Sequence, residues 1–214
     1  MTTKRVVKAS DIAKLLAKPP EGTEEEKIFG KVFEECYTYA NFLYEEDFYF
    51  HRPTNKTFAR KVASELKAHG IYSKELVRKA YRMYSALLRA GVIGRKPKTQ
   101  FTKYGDILIS AQPDLYDGSN YYEFKTYPID DYARAQSKVF SFVLGEPIIL
   151  IGPVEREDGY VTFEKEVVTA ENFVLPEIPQ TLGEFEEVCD VCGLPLKYCI
   201  CSQEPSFLEE DEEE

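Results

Sequence analysis

At 214 residues the chain is long enough for one full domain with appendages, or for two small ones. Its 43% hydrophobic and 30% charged residues are the mix of an ordinary globular protein. No apolar run approaches the ~20 residues that a membrane-spanning helix needs, so no membrane partner is expected. The net charge of −10 argues against a nucleic-acid partner until it is split along the chain. Residues 1–104 carry 21 Lys+Arg against 12 Asp+Glu, a net +9, whereas residues 105–214 carry 6 against 25, a net −19. Between Arg52 and Lys103, fourteen cations face only Glu65 and Glu75. Charge halves this unequal predict a nucleic-acid-facing N-terminal part and a solubilising or autoinhibitory C-terminal tail. The N-terminus has no signal-peptide core, so the expected compartment is the cytoplasm.

In chain order, Ser10 is placed to cap a short helix carrying Ile12, Leu15 and Leu16, which Pro19-Pro20 ends. Thr23 with Glu26 reads as a capping box that opens a helix to about Glu46. Its apolar face includes Phe29, Val32, Phe33 and Cys36, and Cys36 reads there as plain core. His51-Arg52-Pro53-Thr54 breaks that helix; a second runs from about Thr57 to His69, and Ser73 caps a third, Lys74 to Ala90. The last two, with a basic segment at Arg95, Lys96 and Lys98, resemble a winged helix-turn-helix. The alternative is a helical flank with an exposed basic face. In either case Arg78, Lys79, Arg82, Arg95, Lys96 and Lys98 are candidates to meet nucleic-acid phosphates.

Residues 111–125 read as two short strands joined by Asp117, Gly118, Ser119 and Asn120. Residues two apart share a strand face, so Glu123 and Lys125 point one way and Phe124 the other. With those four residues as the loop, Tyr116 pairs with Tyr121 and Asp114 falls opposite Glu123, Cβ atoms roughly 5 Å apart. Two carboxylates so close stay ionised together only beside a cation, and a hard divalent ion resolves the conflict. A helix is expected over residues 129–144, with Gln136 on a stripe otherwise made of Ala133, Phe140, Val143 and Leu144. A glutamine there needs a polar partner, and the neighbouring site supplies one. The run Pro147 to Val154 reads as a strand buried on both faces, and Tyr160 to Thr169 as another strand.

Pro113-Asp114, then Glu123-Phe124-Lys125, then Gln136 four residues before Phe140, resemble the signature of the PD-(D/E)XK nucleases in their RecB-like branch. The resemblance covers residues 101–155. It implies an α/β, mixed-sheet, restriction-endonuclease-like core over residues 100–175, with residues 1–99 supplying the first core helix. It implies a deoxyribonuclease that uses Mg²⁺ or Mn²⁺ in DNA repair, recombination or defence. Asp114, Glu123 and the Phe124 backbone carbonyl would hold the metal, Lys125 would orient the attacking water, and Gln136 would hold the lysine or a phosphate. The family often adds an acidic residue from its first helix, for which Glu75, Glu34, Glu35 and Glu46 compete. A DNA-binding regulator on a decayed nuclease scaffold is the rival reading, but decay usually removes a carboxylate or the lysine, and all three stand here. A protein adaptor is a third, motivated by the acidic tail alone.

After Phe173, Pro176, Pro179 and Gly183 mark a linker within residues 176–214. Cys189-x2-Cys192-Gly193 and Cys199-x-Cys201 then predict one tetrahedral Zn²⁺ site. The Cys-Gly-Leu-Pro segment resembles small zinc knuckles of archaeal information-processing proteins. The alternative is a 4Fe-4S cluster using Cys36 with three of these cysteines, because CRISPR-associated RecB-like exonucleases have one N-terminal and three C-terminal cysteines. The acidic end, Phe207 to Glu214, reads as disordered and as a contact for a repair or recombination protein.

Overall fold

The computed structural model describes residues 2–46, 53–157 and 160–201, backbone only for 42–46. Strand β1 (Thr2–Lys8) runs directly into helix α1 (Ala9–Leu16). Helices α2 (Glu24–Glu46), α3 (Asn55–Ala68) and α4 (Lys74–Arg89) follow. Next come β2 (Gln100–Tyr104), β3 (Ile107–Ala111), β4 (Leu115–Tyr116) and β5 (Tyr121–Phe124). Helix α5 (Asp131–Leu144), strands β6 (Ile148–Glu155), β7 (Val161–Val168) and β8 (Glu184–Val188), and a 3-10 turn at Leu196–Tyr198 complete the order. The described chain is α/β, with two mixed four-stranded sheets ordered β2-β3-β1-β8 and β4-β5-β6-β7. Among its helices none is long and apolar enough to cross a membrane.

Helix starts follow local chemistry. At α2 the Glu26 amide donates to Thr23 Oγ1 (3.2 Å) and the Thr23 amide to Glu26 Oε2 (2.8 Å), the reciprocal capping box expected there. Ser73 Oγ accepts from the Leu76 amide at α4, and Asp130 Oδ1 from the Ala133 amide at α5. Helix α1 differs from expectation. It begins at Ala9 with Lys8 as its cap residue and no side-chain cap, so Ser10 lies inside the helix. The cause is β1: Lys8 is still in register with Ser110 when the helix opens.

The second sheet holds β5 and β6 parallel, joined through α5, and β6 antiparallel to β7. The first sheet pairs β1 parallel to β3 and antiparallel to β8, so segments more than 170 residues apart in the chain are neighbours. Residues 2–8, to which the sequence reading assigns no element, and 184–188, expected to be linker, are therefore both sheet. Opposed charges help: Lys4 faces Glu186 across this pair. Gly183 turns the chain into β8 with φ +95°, and a Cβ there would lie 2.5 Å from the Val6 carbonyl oxygen.

The basic segment 92–99 is no wing. It holds no strand pair; Arg95 exchanges backbone hydrogen bonds with Tyr116 instead. Gly94 permits that approach, since a Cβ would meet the Tyr116 carbonyl oxygen at 2.7 Å. The helix break at His51-Arg52, the Glu46 side chain and the acidic end from Ser202 onward lie outside the described residues.

Two apolar clusters fix the site's frame. One packs Phe29, Phe33, Tyr37 and Cys36 of α2 with Phe58 of α3 and Tyr84 of α4 onto Leu115, Tyr122 and Phe124. The other joins Val7 and Ile12 to Ile107 and Ile109 of β3 and Val139 and Phe140 of α5. Phe33 is fully buried, with edge-on rings at 5.5 Å (Phe58) and 6.2 Å (Phe124). Phe33→Ala should cost about 3–5 kcal/mol of unfolding free energy, read as a lower midpoint in chemical denaturation. A loss under 1 kcal/mol would mean that the α2–β5 contact is not part of the cooperative core.

Candidate active site and cysteine cluster

Strands β4 and β5 pair Leu115 with Tyr122 and Tyr116 with Tyr121, which places Asp114 and Glu123 next in register. The Asp114 amide donates to the Tyr122 carbonyl (3.1 Å), and Asp114 Oδ2 accepts from the Phe124 amide (2.8 Å). Phe124 points into the helical core, while Glu123 and Lys125 face the opposite side. Lys125 Nζ donates to Glu123 Oε1 and, at 2.9 Å, to Gln136 Oε1 from α5. The structure thus brings Asp114, Glu123, Lys125 and Gln136 to one pocket of about 380 Å³.

Both carboxylates are buried, 8% exposed for Asp114 and 3% for Glu123. Burial, then the charge of Glu123, then that of Glu34, raise the Asp114 pKa well above the usual carboxylate range. Burial raises Glu123 as well, against the pull of Lys125. For Lys125 burial works against the charge, but Glu123 and Asp114 outweigh it and the pKa rises, so the ammonium stays protonated. Glu123 Oε2 is buried without a hydrogen-bond partner among the described residues. An unpartnered carboxylate oxygen beside a second buried carboxylate is a donor set that suits a hard cation.

Glu34 of α2 lines this pocket, with Lys96 Nζ 4.0 Å from its carboxylate. Of the competing acidic residues, Glu75 lines a different cleft and Glu35 pairs with Lys31. That second cleft, about 600 Å³, is lined by Arg78, Lys79 and Arg82 of α4 and by Thr126 to Pro128, the residues that follow Lys125. The proposed phosphate contacts therefore divide: Lys96 at the carboxylate pocket, the α4 trio beside it, and Arg95 and Lys98 exposed on the segment between β2 and α4. Lys8, Ser10 and Tyr198 also line the carboxylate pocket, and the sequence reading named none of them as site residues. Lys8 and Ser10 arrive through β1, the strand whose short, basic sequence hides it.

The Sγ atoms of Cys189, Cys192, Cys199 and Cys201 all lie within 4.8 Å of one another, close enough to hold one metal ion. Cys192 and Cys199 are 3.7 Å apart. A tetrahedron of ~2.3 Å metal–sulfur bonds has edges of about 3.8 Å. Backbone amides of Cys192 and Val191 hold the Cys189 thiol down at about 7, while sharing hydrogen bonds with Cys192 and Cys199 pushes Cys201 up to about 12. Four thiolates cannot coexist so closely without a cation, which fits a metal centre. Cys36 stands apart from this group. It is buried in the helical core, where desolvation raises its thiol to about 11. Cys36 is thus not one of the four clustered sulfurs. Compared with family models, curated proteins and solved structures, the chain finds no match in any of the three.

Asp114 binds its proton more tightly folded than unfolded, so its ionisation costs stability. With the unfolded carboxyl near 3.9, the native state holds more protons above about pH 4, and stability falls as pH rises toward the folded pKa. Asp114→Asn removes that loss while keeping an acceptor for the Phe124 amide. In metal-free buffer its melting temperature should match wild type near pH 4 and exceed it by several degrees at pH 7. A gap that stays constant from pH 4 to pH 7 would contradict the raised carboxyl.

Proposed function

We propose that this protein is a metal-dependent nuclease of the PD-(D/E)XK type that hydrolyses phosphodiester bonds in DNA. The observation that carries the reading is the buried pair Asp114 and Glu123, one oxygen unpartnered, beside a lysine clamped by Gln136. The succession β3, β4, β5, α5, β6, with carboxylates on β5 and just before β4 and the glutamine on α5, supports a nuclease-like core. Asp114, Glu123 and Glu34 would hold Mg²⁺ or Mn²⁺, with the Phe124 carbonyl as a further ligand. When bound, such an ion polarises the scissile phosphate and makes a water nucleophilic at neutral pH.

The chain's own residues do the rest. Burial raises the pKa of both Asp114 and Glu123, so a cation held there would compete with protons and its loading would be favoured by rising pH. Lys125, kept charged by both carboxylates and held in place by Gln136, faces the negative charge that grows on the phosphate and orients the attacking water. Lys96 and the α4 trio offer charges to neighbouring phosphates. At the cysteine cluster the ion is proposed to be zinc, held by Cys189, Cys192, Cys199 and Cys201, because four thiolates at this spacing suit a tetrahedral d¹⁰ ion.

The deciding assay incubates wild type with single-stranded, duplex, flapped and branched DNA and RNA, with Mg²⁺, Mn²⁺ or excess EDTA. DNA cleavage should require the divalent ion and fall at least 10²-fold in Asp114→Ala and Lys125→Ala. Gln136→Ala should lower kcat more than it raises KM. Cleavage that survives EDTA would overturn the site; salt-sensitive binding with no cleavage of any substrate would leave a binding module instead. Elemental analysis of anaerobically purified protein should find one zinc per chain, lost in Cys189→Ala and unchanged in Cys36→Ala. Iron with acid-labile sulfide would overturn the zinc assignment.

A further inference from the structure

Tyr198 occupies an unusual position. It lines the pocket that holds Asp114, Glu123, Lys125 and Gln136, and also a recess of about 180 Å³ beside it, lined by Lys8, Phe101, Glu184 and Glu186. The residue is 42% exposed, and its ring packs on Phe101 with centroids 5.0 Å apart and planes tilted by 58°. The backbone beneath it is firmly held. Tyr198 closes the 3-10 turn by donating to the Pro195 carbonyl (2.8 Å), and Pro195 bridges to Val188 at the end of β8. Lys197 pairs with Glu186 at 2.9 Å, and the next residue, Cys199, belongs to the cysteine cluster. The cluster thus sets the position of an aromatic side chain that fills no core.

We propose that Tyr198, seated on Phe101 at the mouth of the carboxylate pocket, stacks an unpaired nucleobase of the substrate, making the cysteine cluster part of the substrate-binding surface. This rests on the nuclease reading above. The charges on this wall choose base over phosphate. Asp11 and Glu184 repel a polyanion. Glu186 is paired with Lys197, whose Nζ lies 5.3 Å from the Tyr198 ring centroid and moves aside for a base; the aromatic face then accepts any base without regard to charge. A base inside a duplex is already stacked on both faces, so the occupant is a nucleotide from a single strand, an overhang or a flap. Lys8 and Lys96, the exposed cations at the same pocket, lie where the phosphates on either side of that nucleotide would pass.

The test uses full-length Asp114→Asn protein, which should bind without cutting, and single-stranded DNA with 2-aminopurine walked along it one position at a time. At one position the fluorescence should be quenched on binding. The quench should persist with Tyr198→Phe and vanish with Tyr198→Leu, which should bind at least about fivefold more weakly. Tyr198→Leu must keep the wild-type zinc content, which shows that the knuckle is intact. In the cleaving background Tyr198→Leu should raise KM for single-stranded substrate and leave kcat unchanged. Wild type that cuts DNA, with equal quenching and affinity in Tyr198→Leu, would overturn the stacking role and leave the nuclease standing. Wild type that neither binds nor cuts any nucleic acid would overturn both.

Discussion

The hydrogen bond from the Phe124 amide to Asp114 joins the two halves of the candidate site through one residue. Phe124 sends its ring into the helical core and its amide to a carboxylate, while the residues on either side of it, Glu123 and Lys125, face the pocket. Strand alternation thus converts the burial of one aromatic ring into the placement of two charged groups. Because Phe33 and Tyr37 pack edge-on against that ring, α2 is held to the same strand that positions Glu123, and Glu34 arrives at the pocket by adjacency to Phe33. The geometry of the polar cluster is therefore set by apolar packing on the far side of β5.

The polar groups themselves oppose the fold. Asp114 and Glu123 are buried side by side, and their raised pKa values show a native state that would rather keep a proton there. Lys125 neutralises part of that charge, and Gln136, itself on an otherwise apolar helix face, fixes where the ammonium sits. Such an arrangement trades stability for a defined electrostatic field. The cysteine cluster shows the same logic with softer ligands: four thiols within 4.8 Å suit a cation better than they suit one another.

What the sequence made legible was local. The Thr23–Glu26 capping box, the Ser73 cap, the Asp117–Asn120 loop and the pairing of Tyr116 with Tyr121 all depend on residues within a few positions of each other. The hairpin register followed from the loop length, and with it the juxtaposition of Asp114 and Glu123. What stayed hidden was long-range. Strand β1 has only Val6 and Val7 between basic residues, and β8 reads as an acidic linker; each is a strand only because the other, and β3, are there. Missing β1 also misplaced the start of α1 and concealed Lys8 and Ser10 at the pocket. The basic segment at 92–99 was misleading for a related reason. Its charges suggest an exposed hairpin, but Gly94 lets the backbone dock on Tyr116, which no periodicity announces.

The pairing of β1 with β8 has a consequence for the order in which the molecule is built. A ribosome adding roughly 5–20 residues per second needs on the order of 10–40 s to go from Thr2 to Val188. Through that interval β1 has β3 as a partner only late and β8 not at all, so its outer edge stays unpaired. The Lys4 and Arg5 charges on that edge discourage pairing with another nascent chain. The pocket containing Asp114 and Glu123 gains Tyr198 only after β8 has closed the sheet. During synthesis the wall that the cysteine turn supplies thus arrives after the rest of the pocket, and the carboxylate site stays incomplete until Tyr198 has been added.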